Sequence, residues 1–143
     1  MLGQILLTLD AFGLIFGAIM ADWNETHIFN PRFTPHAKFH VGHTISLSVS
    51  MGLATLYFTW WPLFTSKSRP VATMRQLKRD SLNIAVCTGT IYWLTGLAAI
   101  LYPGTDGVDP EFGPPGSFPQ GRFFTAFATF AVAGWLLERQ ASK

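Results

Sequence analysis

Three histidines open the second apolar stretch of the chain, in Pro35-His36-Ala37-Lys38-Phe39-His40-Val41-Gly42-His43. Steps of four, three and seven residues at ~100° per residue return to nearly one angle, so these imidazoles form one stripe along a helix. Imidazoles in such a stripe can relay protons or ligate a metal ion. One further histidine exists in the 143 residues, His27, and it lies among Asp22, Asn24, Glu25, Asn30 and Arg32. Residues 22 to 43 therefore hold the densest chemistry of the chain. Thr34-Pro35 is a good helix start, with a side-chain oxygen at the cap and proline at the first helical position.

A second group stands apart from this segment. Asp10 falls near the middle of the first apolar run, where carboxylates are rare outside polar interiors and pathways. Ser46, Ser50, Cys87, Thr88, Thr90 and Thr125 are expected at similar depth, and the alternative to a functional Asp10 is a neutral carboxyl bonded to one of the hydroxyls. Trp93 lies well inside its own apolar run, as packing or as the lining of a pocket. For His40 and His43, the cost of burying polar groups in a membrane favours a bundle-facing position. Their structural alternative is a hydrogen-bond network between the first two helices, and for His36 it is an exposed interfacial ring.

The elements that must carry these groups follow from composition. The chain is 49% hydrophobic and 13% charged, whereas soluble domains average about 25% charged residues. Leu2–Ala21 holds one acidic residue and no Lys or Arg, Val41–Phe64 holds His43 and no formal charge, and Ser81–Tyr102 and Phe123–Leu137 hold no Asp, Glu, Lys or Arg. Runs of roughly 20 apolar residues match a bilayer core of about 30 Å. The expected fold is an all-α integral membrane four-helix bundle forming one domain, with spans near 2–22, 38–64, 81–102 and 121–138. The fourth is the shortest and must borrow polar flanks.

Charge then sets the orientation. Ser66 to Asp80 carries Lys67, Arg69, Arg75, Lys78 and Arg79 against one acid, while the third connection carries Asp106, Asp109 and Glu111, with Arg122 at its far edge. The positive-inside rule places the basic segment and both termini in the cytoplasm, so residues 22–40 and 103–120 face outward. Trp60-Trp61 and Trp23 suit the two interfaces as aromatic anchors. The basic segment reads as a topology determinant and not as a nucleic-acid patch. The Pro/Gly-rich 103–120 segment is either a lid over the outer mouth or a plain connection. The Phe-rich fourth span reads as packing and lipid contact.

Other features exclude alternatives. The first run is long and lacks a small-residue cleavage site, so a retained span is expected over a signal peptide. Cys87 is the one cysteine and provides neither a disulfide framework nor a paired-thiol redox centre. Asn24-Glu25-Thr26 is formally a glycosylation sequon, expected to be unmodified at the membrane boundary.

The run Asp22-Trp23-Asn24-Glu25-Thr26-His27-Ile28-Phe29-Asn30-Pro31, followed by Pro35-His36-Ala37-Lys38-Phe39-His40, resembles a family of small four-span membrane proteins of fungi and bacteria, largely unassigned in function. Some members carry an acetyltransferase label, but here His36 and His40 lack the following Asp of an acyltransferase motif. The architecture is also similar to that of emopamil-binding sterol isomerases and membrane terpene cyclases, which implies acid and polar groups in a cavity between helices.

Three functions are consistent with these residues. The first is a cofactor-independent membrane enzyme that isomerises, cyclises or opens an epoxide of a hydrophobic small molecule in a cavity open to the outer side. In it Asp22 or Asp10 acts as acid and His40 or His43 as base, with His36 beside them. Asn24, Glu25, His27, Asn30, Arg32 and Trp93 would bind substrate. The second is a mononuclear zinc, iron or copper site built from His36, His40, His43 and His27. The third is a non-enzymatic accessory subunit or a lipid-binding protein, with a homo-oligomer or a membrane complex as its partner. The expected location is the endoplasmic reticulum in a eukaryote or the inner membrane in a bacterium.

Overall fold

A computed structural model describes residues 1–65 and 70–141, so Lys67 and Arg69 of the basic segment lie outside the described residues. Four helices follow one another: α1 Leu2–Asp22, α2 Pro35–Phe64, α3 Val71–Ala99 and α4 Gln120–Ala141. No strand occurs among the described residues. α1, α2 and α3 are long and apolar enough to cross a membrane, and α4 falls short of that apolarity.

Local signals explain the helix ends. The Thr34 hydroxyl accepts the Ala37 N–H at 3.2 Å and Pro35 takes the first helical position, as expected. α3 begins ten residues before its apolar part. Arg75, Lys78 and Arg79 are therefore not on a loop but on opening helical turns, because Met, Arg, Gln, Leu and Lys are strong helix formers that continue the helix into a polar region.

α1 packs against α2 and α4, α3 also packs against α2 and α4, and α1 reaches α3 across the bundle. The buried positions explain this arrangement. On α2 they are Val41, Ile45, Ser48, Gly52, Thr55, Thr59 and Pro62, in alternating steps of four and three. Such a 3.5-residue repeat keeps one seam facing its neighbours along the whole helix.

Small residues let the backbones approach closely. A Cβ on Gly52 would meet the Ala11 carbonyl oxygen at 2.7 Å, and one on Gly134 would meet that of Gly3 at 2.6 Å. Apart from Leu7 and Leu14, which are fully buried, the large side chains of α1 point mostly the other way. Leu2, Ile5, Leu9, Phe12, Phe16 and Ile19 of α1 are all exposed, while the interior contains Gln4, Asp10, Ser48, Thr55, Thr59 and Glu138.

One end of the bundle is closed by two organised connections. Asp106 accepts the Gly107 and Gly116 N–H groups at 2.8 and 2.9 Å, which folds the 103–120 segment on itself. Gly104 and Gly116 have positive φ, conformations that suit glycine. Arg32 from the first connection forms an ion pair with Glu111 and lies 3.9 Å from Asp109. The segment is thus tied to the α1–α2 connection and is more than a slack tether.

Candidate functional site

Asp10 lies at the centre of the bundle, fully buried. Its Oδ1 accepts the Trp93 indole N–H at 2.7 Å, and its Oδ2 has no partner among the described residues. Gly89 packs so tightly on this carboxyl that a Cβ there would sit 2.5 Å from Oδ2, with Ala131 and Thr55 close beside it. Trp93 stacks on Phe127, with centroids 5.1 Å apart, and also contacts Phe124. Thr55 bonds Thr88 at 2.9 Å. These groups form a packed polar layer, and the surface clefts described lie elsewhere, around Arg75, Arg79 and Arg139.

The histidine stripe faces away from this layer. His36, His40 and His43 are all exposed. The helical arithmetic holds, since the Nε2 atoms of His36 and His40 stand 3.1 Å apart. The expected direction does not. His43 is about 200° around the helix from both Val41 and Ile45, which face the interior. The stripe therefore lines the outside of α2 and does not descend toward Asp10.

His27 is separate from that stripe as well. No set of three His, Cys, Asp or Glu side chains capable of holding a metal ion occurs among the described residues. The expected set of His27, His36, His40 and His43 is therefore not assembled in one chain. The His36–His40 pair alone has the proximity for two-point ligation and would need ligands from elsewhere.

The α1–α2 connection builds a different arrangement. Asn24 stops α1 by donating to the Ala21 carbonyl at 2.8 Å, and its Oδ1 accepts the Thr26 N–H at 2.8 Å. The Thr26 hydroxyl donates to Asn24 Oδ1 at 2.6 Å and stands 2.7 Å from His27 Nδ1. With its proton committed to Asn24, Thr26 Oγ1 accepts from Nδ1–H. That places a proton on Nδ1, so that it is Nε2 that exchanges a proton with anything beyond the connection. The Asp22 carboxylate stands 3.8 Å from the same Nδ1, with 17% of its side chain exposed. Asp22 is thus placed to stabilise a charge on the ring when Nε2 takes a proton.

Two further groups complete this end of the bundle. Tyr92 of α3 faces Ser48 and the Asp22 carboxylate, and Ser48 donates to the Leu14 carbonyl at 2.7 Å. Neither Tyr92 nor Ser48 was expected at a site. The available signals were the tyrosine beside Trp93 in an uncharged span and the small polar residue on the α2 seam. Among the residues expected to meet substrate, Asn24 and buried Asn30 serve the turns of the connection, and Arg32 is held by the acids of the 103–120 segment. Glu25 is exposed, and Trp93 is occupied by Asp10. Asp22, expected as an acid, meets His27, which was expected to bind substrate or a metal and not to act as a base, whereas Asp10 is about 18 Å from Asp22 along α1 at 1.5 Å per residue.

Residues 6–143 match the model of DUF6640, described as a family of unknown function. The chain belongs to this family. No curated protein and no solved structure matches it.

Proposed function

We propose that this DUF6640 member is an integral membrane protein with four spans, both termini cytoplasmic, and that it transfers protons on an apolar small molecule at its outer end. Membrane insertion is supported by the inverted distribution of side chains, with Phe and Leu outward and Thr, Ser and Asp inward. A bundle with that surface needs an apolar solvent. The orientation is supported by Arg75, Lys78, Arg79 and Arg139 at one end and Asp106, Asp109 and Glu111 at the other. The compartment that follows is the inner membrane of a bacterium or the endoplasmic reticulum of a eukaryote.

The observation that carries the catalytic reading is the chain of contacts from Asn24 through Thr26 to His27, with Asp22 behind the ring. In this reading His27 Nε2 removes a carbon-bound proton from an apolar substrate and returns it to another carbon, an isomerisation with no net change in atoms. Asp22 stabilises the transient imidazolium, and the Tyr92 hydroxyl faces the same carboxylate. The same pair would serve cyclisation or epoxide opening. None of these steps requires a cofactor.

The test is incubation of the membrane-reconstituted protein with an apolar lipid extract in deuterium oxide. Deuterium entering a carbon position of an extract component, lost on His27→Gln substitution, supports the reading. Incorporation no greater than in protein-free membranes refutes it.

A second reading, an accessory subunit of a membrane complex, is favoured by the outward His36, His40 and His43 together with Phe39, which is 65% exposed. Such a stripe would suit a neighbouring helix.

A further inference from the structure

The cytoplasmic end of the α3–α4 seam carries a feature that the proton-transfer reading does not use. Arg75 and Arg79 are one helical turn apart on α3, and Arg139 lies across from them on α4. Among the described residues none of the three makes an ion pair, although all are exposed. Nearby charges are engaged elsewhere. Glu138 is buried between Lys78, at 2.9 Å, and the amino group of Met1, and Asp80 accepts from Gln76 at 2.9 Å.

Two clefts meet at Arg79. One, of about 470 Å³, is lined by Val71, Ala72, Arg75, Gln76 and Arg79. The other, of about 180 Å³, is lined by Arg79, Leu82, Asn83, Trp135 and Arg139. Its wall is built and not incidental. The Trp135 indole N–H donates to Asn83 at 2.9 Å, and the Arg139 guanidinium lies over the Trp135 ring, 5.0 Å from its centroid. The indole fixes where that guanidinium sits.

We infer that this double cleft binds the phosphate of an anionic glycerophospholipid of the cytoplasmic leaflet. Guanidinium groups match phosphate oxygens in pairs, and like charges one turn apart on a helix repel unless an anion joins them. The order of residues along the seam selects a lipid over a free phosphate. Along the helix axes the half-buried Trp135, packed on the core residue Leu82, lies toward the bilayer, Arg79 and Arg139 come next, and Arg75 lies farther out. This is the order of acyl chain, phosphate and headgroup. Basic pockets between membrane helices on the cytoplasmic side have this use in general. The inference rests on membrane insertion and is independent of the His27 site.

Reconstitution into nanodiscs of four parts phosphatidylcholine to one part phosphatidylglycerol, followed by mass spectrometry of the lipids retained by the protein, tests it. Retained lipid should be enriched in phosphatidylglycerol, and the Arg79→Gln/Arg139→Gln variant should lose on the order of tenfold of that preference, since each cation near an anionic surface contributes a factor of several. Lys38→Gln, at the other end of the bundle, should keep it. Equal enrichment in the double variant overturns the inference. So does release of the bound lipid by inorganic phosphate alone, which would mark a site for free anions. Protein that does not enter nanodiscs refutes membrane insertion, and the lipid site with it. Insertion without lipid preference refutes the lipid site alone and leaves the His27 reading untouched.

Discussion

Trp93 and Asp10 are joined across the bundle, indole N–H to carboxyl Oδ1, with Gly89 pressed against the other oxygen. The contact links α3 to α1 beside a cluster in which Trp93 packs with Leu14, Phe124 and Phe127. It works because Gly89, Ala131 and Thr55 are small enough to let an indole and a carboxyl fit between four backbones. The buried acid of α1 is therefore explained first as an element of packing.

Gly89→Ala should lower stability by about 1–3 kcal/mol, the usual cost of overpacking a filled core. The added methyl would meet a short, bonded carboxyl that has no room to retreat. Gly42→Ala is the matched control, since a Cβ there meets nothing within 4 Å and alanine is the better helix former by up to about 1 kcal/mol. Thermal melting in detergent should fall for the first variant and hold or rise for the second.

The Asp10–Trp93 bond itself predicts an asymmetry between substitutions. Asp10→Asn keeps the acceptor and the volume, so it should be tolerated. Asp10→Ala leaves the indole N–H buried without a partner and opens a small void, at a cost of about 2–4 kcal/mol. Trp93→Phe removes the donor, leaves both buried carboxyl oxygens without a partner among the described residues and should destabilise to a similar extent. Equal destabilisation by Asp10→Asn and Asp10→Ala would show that the bond is not what Asp10 contributes.

The course of the chain was largely legible, because apolar run length sets helix number and Thr34-Pro35 marks a start. The facing of the helices was not. Periodicity placed His36, His40 and His43 on one stripe, and they do share it. In helices this apolar, though, both sides carry hydrophobic side chains, so hydropathy does not say which side is inside. The readable signal was size. Ser48, Gly52, Thr55 and Thr59 repeat at steps of four, three and four, and that stripe of small residues lies nearly opposite the histidines. The Asp22–His27 pair was out of reach for another reason. It depends on how Asn24 and Thr26 turn the chain after α1, and loop geometry leaves little periodic trace.

Because the histidine stripe and His27 are separate, they should separate in function. In the deuterium assay Asp22→Asn and His27→Gln should each reduce incorporation by about 10²-fold or more, the usual range for a general acid or base. His43→Gln should leave it unchanged, as should His36→Gln with His40→Gln. Loss of incorporation in the stripe variants, with Asp22→Asn silent, would move the chemistry back to α2.

The contact of Arg32 with Asp109 and Glu111 makes a prediction about motion and not about overall stability. These groups are well exposed, with 61% of the Arg32 side chain accessible, so water and salt screen the pair and its removal should cost about 1 kcal/mol or less. Its effect is on which segments move together, since it is the described ion pair between the α1–α2 and α3–α4 connections. Arg32→Gln should therefore speed amide hydrogen exchange across residues 105–118 while the melting temperature stays within a few degrees. The Asp106 bonds to Gly107 and Gly116 limit that loosening, because they hold the turn closed without Arg32. Asp106→Ala combined with Arg32→Gln should then raise exchange more than either change alone. Protection that persists in the double variant would mean that Phe118, packed on Phe124 with centroids 6.3 Å apart, is enough to anchor the segment.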